Sequence, residues 1–106
     1  TVEGRVVIEP GARLERCTVR GPAIIGAGTR LIDAYVGPYS AIAEDCLVEQ
    51  AEIEHSILLA GSQVRNLAGR MESSLLGRNV KISRDEGRQP RAYRFMVGDN
   101  SEIGIL

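Results

Sequence analysis

A chain of 106 residues with a formal net charge of −1 has room for one small domain and no charge excess with which to hold nucleic acid or an anionic membrane. Hydrophobic residues make up 43% and charged residues 25%, which excludes a disordered segment, and no apolar run nears the roughly 20 residues that span a bilayer. The aromatics are only Tyr35, Tyr39, Tyr93 and Phe95, so any core must be built from Ile, Leu, Val and Ala, which favours thin, regular layers.

The first residue is Thr1 rather than Met, so an excised domain or a processed chain is expected; no basic-then-apolar leader is seen at the start, and a cytoplasmic location is expected. Cys17 and Cys46 stand 29 positions apart. They read as reduced, buried thiols of a cytosolic protein rather than as a disulfide.

Taken in order, the chain repeats every seventeen residues. One apolar column holds Ile8, Ile25, Ile42, Leu59 and Leu76. A second holds Leu14, Leu31 and Val48, then Val64 one place early and Ile82 back in phase. A third holds Val2, Val19, Val36 and Ile53, then Met71 one place late. The steps within a period, about six, five and six residues, match neither the 3.6 of a helix nor a long run of period 2. Between the columns stand mostly small residues: Ala12, Thr29, Cys46, Gln63 and Val80; Cys17, Ala34, Ala51 and Ala68; Val6, Ala23, Ser40 and Ile57. Turn formers fill the gaps, among them Gly4, Pro10-Gly11, Gly21-Pro22, Gly26, Gly28, Gly37-Pro38, Gly61 and Gly77.

This pattern predicts a triangular coil. Each short strand points one aliphatic side chain inward, each corner carries a turn, and successive coils stack as parallel strands about 4.8 Å apart. The phase slip between Leu59 and Met71 predicts a loosened corner at residues 65–70. The repeat runs through residues 1–83; residues 84–106 form a C-terminal cap or arm, with Tyr93, Arg94 and Phe95 as its contact residues.

Units such as Ile25-Gly26-Ala27-Gly28-Thr29-Arg30 and Val36-Gly37-Pro38-Tyr39-Ser40-Ala41 resemble the hexapeptide repeat of left-handed parallel β-helices. The fold class expected is therefore all-β, a left-handed parallel β-helix of about five coils. The left hand is implied by the resemblance alone, since parallel crossovers are otherwise right-handed.

Catalytic groups are scarce. Gly28-Thr29-Arg30-Leu31 matches the end of a phosphate-binding loop of sugar-nucleotide pyrophosphorylases. No helix pattern follows to receive an anion, and the only lysine, Lys81, is far along the chain, so the segment reads as a corner of a coil. His55, the only histidine, is the one candidate base for acyl transfer, and it occupies a turn position. A carbonic-anhydrase-type zinc site needs three histidines, so no metal site is expected. Glu44-Asp45 with Glu49, Glu52 and Glu54 read as solvated faces, and Arg84, Arg88, Arg91 and Arg94 as cap charges.

Gly21-Pro22-Ala23-Ile24-Ile25-Gly26, Ile53-Glu54-His55-Ser56-Ile57, Ser74-Leu75-Leu76-Gly77-Arg78-Asn79 and the ending Ala92-Tyr93-Arg94-Phe95-Met96-Val97-Gly98-Asp99 are together similar to one group. They resemble the C-terminal part of long-form glucose-1-phosphate thymidylyltransferases. The resemblance implies a parent enzyme whose N-terminal nucleotidyltransferase domain joins dTTP to glucose 1-phosphate with magnesium. This chain would be an accessory and assembly domain without cofactor, forming a homo-oligomer, with a trimer expected. The alternatives are a hexapeptide acyltransferase using acyl-CoA and a free-standing structural solenoid.

Overall fold

The structure, a computed structural model, describes residues 1–67, 69–84, 92–93, 96–100 and 102–105. It is a parallel β-solenoid of about five turns, with three sheets of six short strands each and no helix among the described residues. Sheet A stacks Val2–Glu3, Thr18–Arg20, Tyr35–Val36, Glu52–Glu54, Arg70–Glu72 and Ala92–Tyr93. Sheet B stacks Val6–Ile8, Ala23–Ile25, Ser40–Ile42, Ile57–Leu58, Leu75–Leu76 and Met96–Val97. Sheet C stacks Arg13–Glu15, Arg30–Ile32, Leu47–Glu49, Gln63–Arg65, Lys81–Arg84 and Glu102–Ile105. Every pairing is parallel, and the chain visits A, B and C in turn.

Inside, each coil sets three large aliphatics on the sheets and smaller residues at the corners. Val19, Ile25 and Leu31 fill one layer, with Ala23, Thr29 and Ala34 between them. Val36, Ile42 and Val48 fill the next, with Ser40, Cys46 and Ala51 at the corners. Residues three to six apart can share this interior because each corner redirects the strand. At the corner between sheets C and A the redirecting residues Arg16, Asp33, Gln50 and Asn66 all have φ between 47° and 55°. Side chains seldom enter this left-handed region, and Asn and Asp do so most readily. At the corner between B and C, Gly28 (φ 71°) stands in a column with Gly11, Asp45, Gly61 and Asn79, all at positive φ. Gly26 is required for a different reason: a Cβ there would lie 2.4 Å from the Ala43 carbonyl carbon of the next coil. Both glycines therefore shape the coil, and neither opens a helix that could receive phosphate.

The phase slip is placed differently from the sequence reading. Leu58, not Leu59, pairs with Ile42 below and Leu76 above. Leu58 is fully buried and Leu59 is 38% exposed. The corner from Ile53 to Leu58 is one residue shorter than the equivalent corner from Val36 to Ile42; the corner from Val64 to Met71 is longer than that from Val48 to Ile53 and overshoots, and a second short corner from Met71 to Leu76 restores the count. Two further positions move with it. Ser62 rather than Gln63, and Ser56 rather than Ile57, turn inward. Leu67 takes the inward corner position, and Ala68, expected there, lies outside the described residues.

Ile8 keeps its register opposite Ile25 but is 42% exposed, on the first of the described coils. Within residues 84–106, the described strands pair parallel with Arg70–Glu72, Leu75–Leu76 and Lys81–Arg84, so the three sheets run on past position 83. Tyr93 is placed by its backbone opposite Met71, while Arg94 and Phe95 lie outside the described residues.

At the corner between sheets B and C, the inward polar groups Thr29, Cys46 and Ser62 are tied between coils. The Thr29 hydroxyl donates to the Ala43 carbonyl (2.7 Å) and accepts from the Cys46 N–H (3.2 Å). One coil up, the Cys46 thiol donates to the Leu59 carbonyl at 3.3 Å, and next the Ser62 hydroxyl donates to the Gly77 carbonyl at 2.7 Å. These bonds repeat at successive corners and satisfy groups that would otherwise be costly to bury.

Candidate assembly surface

The candidate chemical groups are not brought together. His55 sits at the corner between sheets A and B with φ 51°, its ring edge-on to Tyr39 at 5.2 Å between centroids. Its Nε2 lies 4.0 Å from Glu54 Oε1, and its side chain is half exposed. Cys17 and Cys46 are both free thiols, one half-buried and one buried. Burial pushes both thiol pKa values up, which favours the inert protonated form. Among the described residues, no three His, Cys, Asp or Glu side chains are grouped to hold a metal ion. An open groove of about 790 Å³ follows the corner between sheets C and A, past Arg16, Asp33, Tyr35, Gln50 and Leu67. Its charged wall is already occupied internally: Arg16 Nε donates to Asp33 at 2.7 Å.

The outward faces of the sheets differ sharply in chemistry. On sheet A, Arg70 donates to Glu54 at 2.7 Å and to Glu52 at 3.0 Å. Its guanidinium carbon lies 5.0 Å from the centre of the Tyr35 ring, and Arg20 approaches the same ring at 5.9 Å. Hydrogen bonds to Glu52 hold the Arg70 pKa above its ordinary value, followed by those to Glu54. Sheet C mixes signs, with Arg13, Arg30, Glu49, Arg65 and Lys81 on its strands and an Arg65–Glu49 contact of 3.6 Å.

Sheet B is apolar. Its outward rungs are Val7, Ile24, Ala41, Ile57 and Leu75, directly stacked by the strand register. The four large ones are 42–52% exposed. The sequence reading missed this ladder, although it too recurs at the same period. The reason is that it runs beside an inward column: in Val7-Ile8, Ile24-Ile25 and Leu75-Leu76 one residue faces in and its neighbour faces out. Period 2 within a three-residue strand, added to period 17 along the chain, was the signal.

No family model matches the chain. Over 102 residues it is 44% identical to a glucose-1-phosphate thymidylyltransferase of Streptomyces griseus, covering 96% of this chain and 28% of that protein. It resembles a portion of a thymidylyltransferase. A second such enzyme, from Streptomyces antibioticus, is 42% identical over 104 residues, which are 98% of this chain and 29% of the relative. The low-salt glycan biosynthesis nucleotidyltransferase of Haloferax volcanii is 34% identical over 71 residues, 67% of this chain and 20% of its own length. The chain thus spans less than a third of the length of the curated relatives it matches. No described helix is long and apolar enough to cross a membrane.

Proposed function

We propose that this chain is the accessory and assembly domain of a nucleotidyltransferase that makes dTDP-glucose from dTTP and glucose 1-phosphate. The observation that carries the reading is the 42–44% identity to thymidylyltransferases along nearly the whole chain but over less than a third of theirs. A match of that shape fits a C-terminal domain attached to a catalytic one. The exposed apolar ladder of sheet B suits the assembly part of this reading. In this reading nucleotide, sugar phosphate and magnesium are bound by the portion outside this chain. The solenoid holds several copies of that portion in a homo-oligomer, a trimer as expected from the fold.

The test is an assay of the full-length protein and of the 106 residues alone. The full-length protein should release pyrophosphate from dTTP and glucose 1-phosphate in the presence of magnesium, and the 106 residues should not. An inactive full-length protein, together with acetyl transfer from acetyl-CoA that His55→Ala abolishes, would replace this reading with the acyltransferase one.

A further inference from the structure

We infer that the outward face of sheet B is the surface on which copies of this chain associate. The inference rests on the assembly role proposed above and assigns it to one of the three faces. Val7, Ile24, Ala41, Ile57 and Leu75 form a continuous apolar ladder up the prism with no charged side chain among the rungs. Met96 follows Leu75 in the strand register. Large aliphatics scattered singly on a surface are ordinary, whereas a contiguous line of them marks a contact. Leu59, Tyr39 and Pro22 extend the exposed apolar surface on either side of the ladder.

The occupant is a second copy for two reasons. The molecule measures 33 × 25 × 21 Å, so a face along its length is on the order of 700 Å², close to the roughly 800 Å² that each partner of a stable interface buries. Rungs with no charge and no side-chain donors also have nothing with which to orient a polar or charged partner. It does carry a regular rise, rung by rung, and the same face on another copy has the same rise. Copies arranged about an axis parallel to the coil stack would bring each rung beside its equivalent, Ile24 beside Ile24 and Ile57 beside Ile57. Sheets A and C offer no such match, because both carry charged side chains on their outward strands, Glu52, Glu54 and Arg70 on one and Arg13, Arg30, Glu49, Arg65 and Lys81 on the other.

The experiment uses the full-length protein. Light scattering after size exclusion would be compared for wild type, Ile24→Asp/Ile57→Asp on sheet B, and Thr18→Asp on sheet A. The sheet B variant should be a folded monomer by circular dichroism, with self-association weakened at least 100-fold, while Thr18→Asp stays associated. Should the sheet B variant not fold, Ala41→Cys provides the second measurement: a short bismaleimide should link A41C between protomers and fail to link Gln63→Cys on sheet C. An oligomer that only Thr18→Asp disperses, or in which A41C gives no link, overturns the assignment to sheet B while leaving the assembly role standing. A wild-type protein that is monomeric at 100-fold the assay concentration overturns both.

Discussion

Sheets A and B are built on one plan and put to different use. Both stack short parallel strands and point a buried aliphatic inward, Val19, Val36 and Ile53 in one, Ile25, Ile42 and Leu58 in the other. Their outward sides diverge. Arg70 gathers Glu52 and Glu54 and lies over Tyr35, so the face of sheet A is closed on itself. The face of sheet B stacks Ile24, Ala41, Ile57 and Leu75 rung on rung and still leaves the three large ones nearly half exposed. The difference shows that the repeat prescribes only the inside of a solenoid. The outward positions are free of that constraint, and what they carry records what the face meets.

The largest expected effect separates inside from outside within a single pair of residues. Leu58→Ala should destabilise the chain by about 2–5 kcal/mol, as buried leucine truncations do when the site cannot collapse. Leu59→Ala, one position on, should cost about 1 kcal/mol or less, since that side chain is already 38% exposed. Urea denaturation followed by circular dichroism measures both. Equal losses at the two positions would contradict the register in which Leu58 lies between Ile42 and Leu76.

A smaller effect is expected on the outside of sheet A. Arg70→Ala removes two carboxylate contacts and leaves Glu52 and Glu54 near one another, with Glu54 opposite Glu72 in the register. The Arg70 side chain is 40% exposed, so solvent screening limits the loss to roughly 0.5–1 kcal/mol. The association state should not change, in contrast to Ile24→Asp/Ile57→Asp. A melting midpoint that drops with the oligomer intact supports the division between faces; dissociation of the oligomer would place sheet A in the contact.

How much of this could be read from the sequence follows from what each feature depends on. Ile25, Val36 and Leu31 announce themselves because a solenoid repeats its interior at a constant period, and the columns need no long-range knowledge. Leu58 was misplaced because period alone cannot say at which corner a residue is lost. Ser56 and Ser62 could have corrected it, since small polar residues suit the inward corner and Ile57 and Gln63 do not. The exposed ladder was harder, because an Ile-Ile pair looks the same whichever member points inward. The ion cluster of Arg70 was not legible at all: it joins Glu52, Glu54 and Tyr35 across three coils, and only the stacking brings them together.

The smallest effect lies at the corner between sheets C and A, where coil is tied to coil by charge. Asp33 accepts from Arg16 Nε at 2.7 Å and from Nη2 at 3.2 Å. The hydrogen bond from Arg16 lowers the Asp33 pKa below its ordinary value of 3.8, with the charge of Arg16 acting in the same direction. A carboxylate whose pKa is depressed by folding adds stability above the unfolded-state pKa, and that contribution is lost as pH falls through the folded value. Both side chains are well exposed, so the contribution is slight and salt should weaken it. Carbon-detected NMR titration of the Asp33 carboxyl should therefore give a midpoint below 3.8 in the wild type and one near 3.8 in Arg16→Gln. An unchanged midpoint in the variant would mean that the pair does not hold in solution. The corner would then be fixed by its left-handed backbone and coil stacking alone, as it already must be at Gln50 and Asn66.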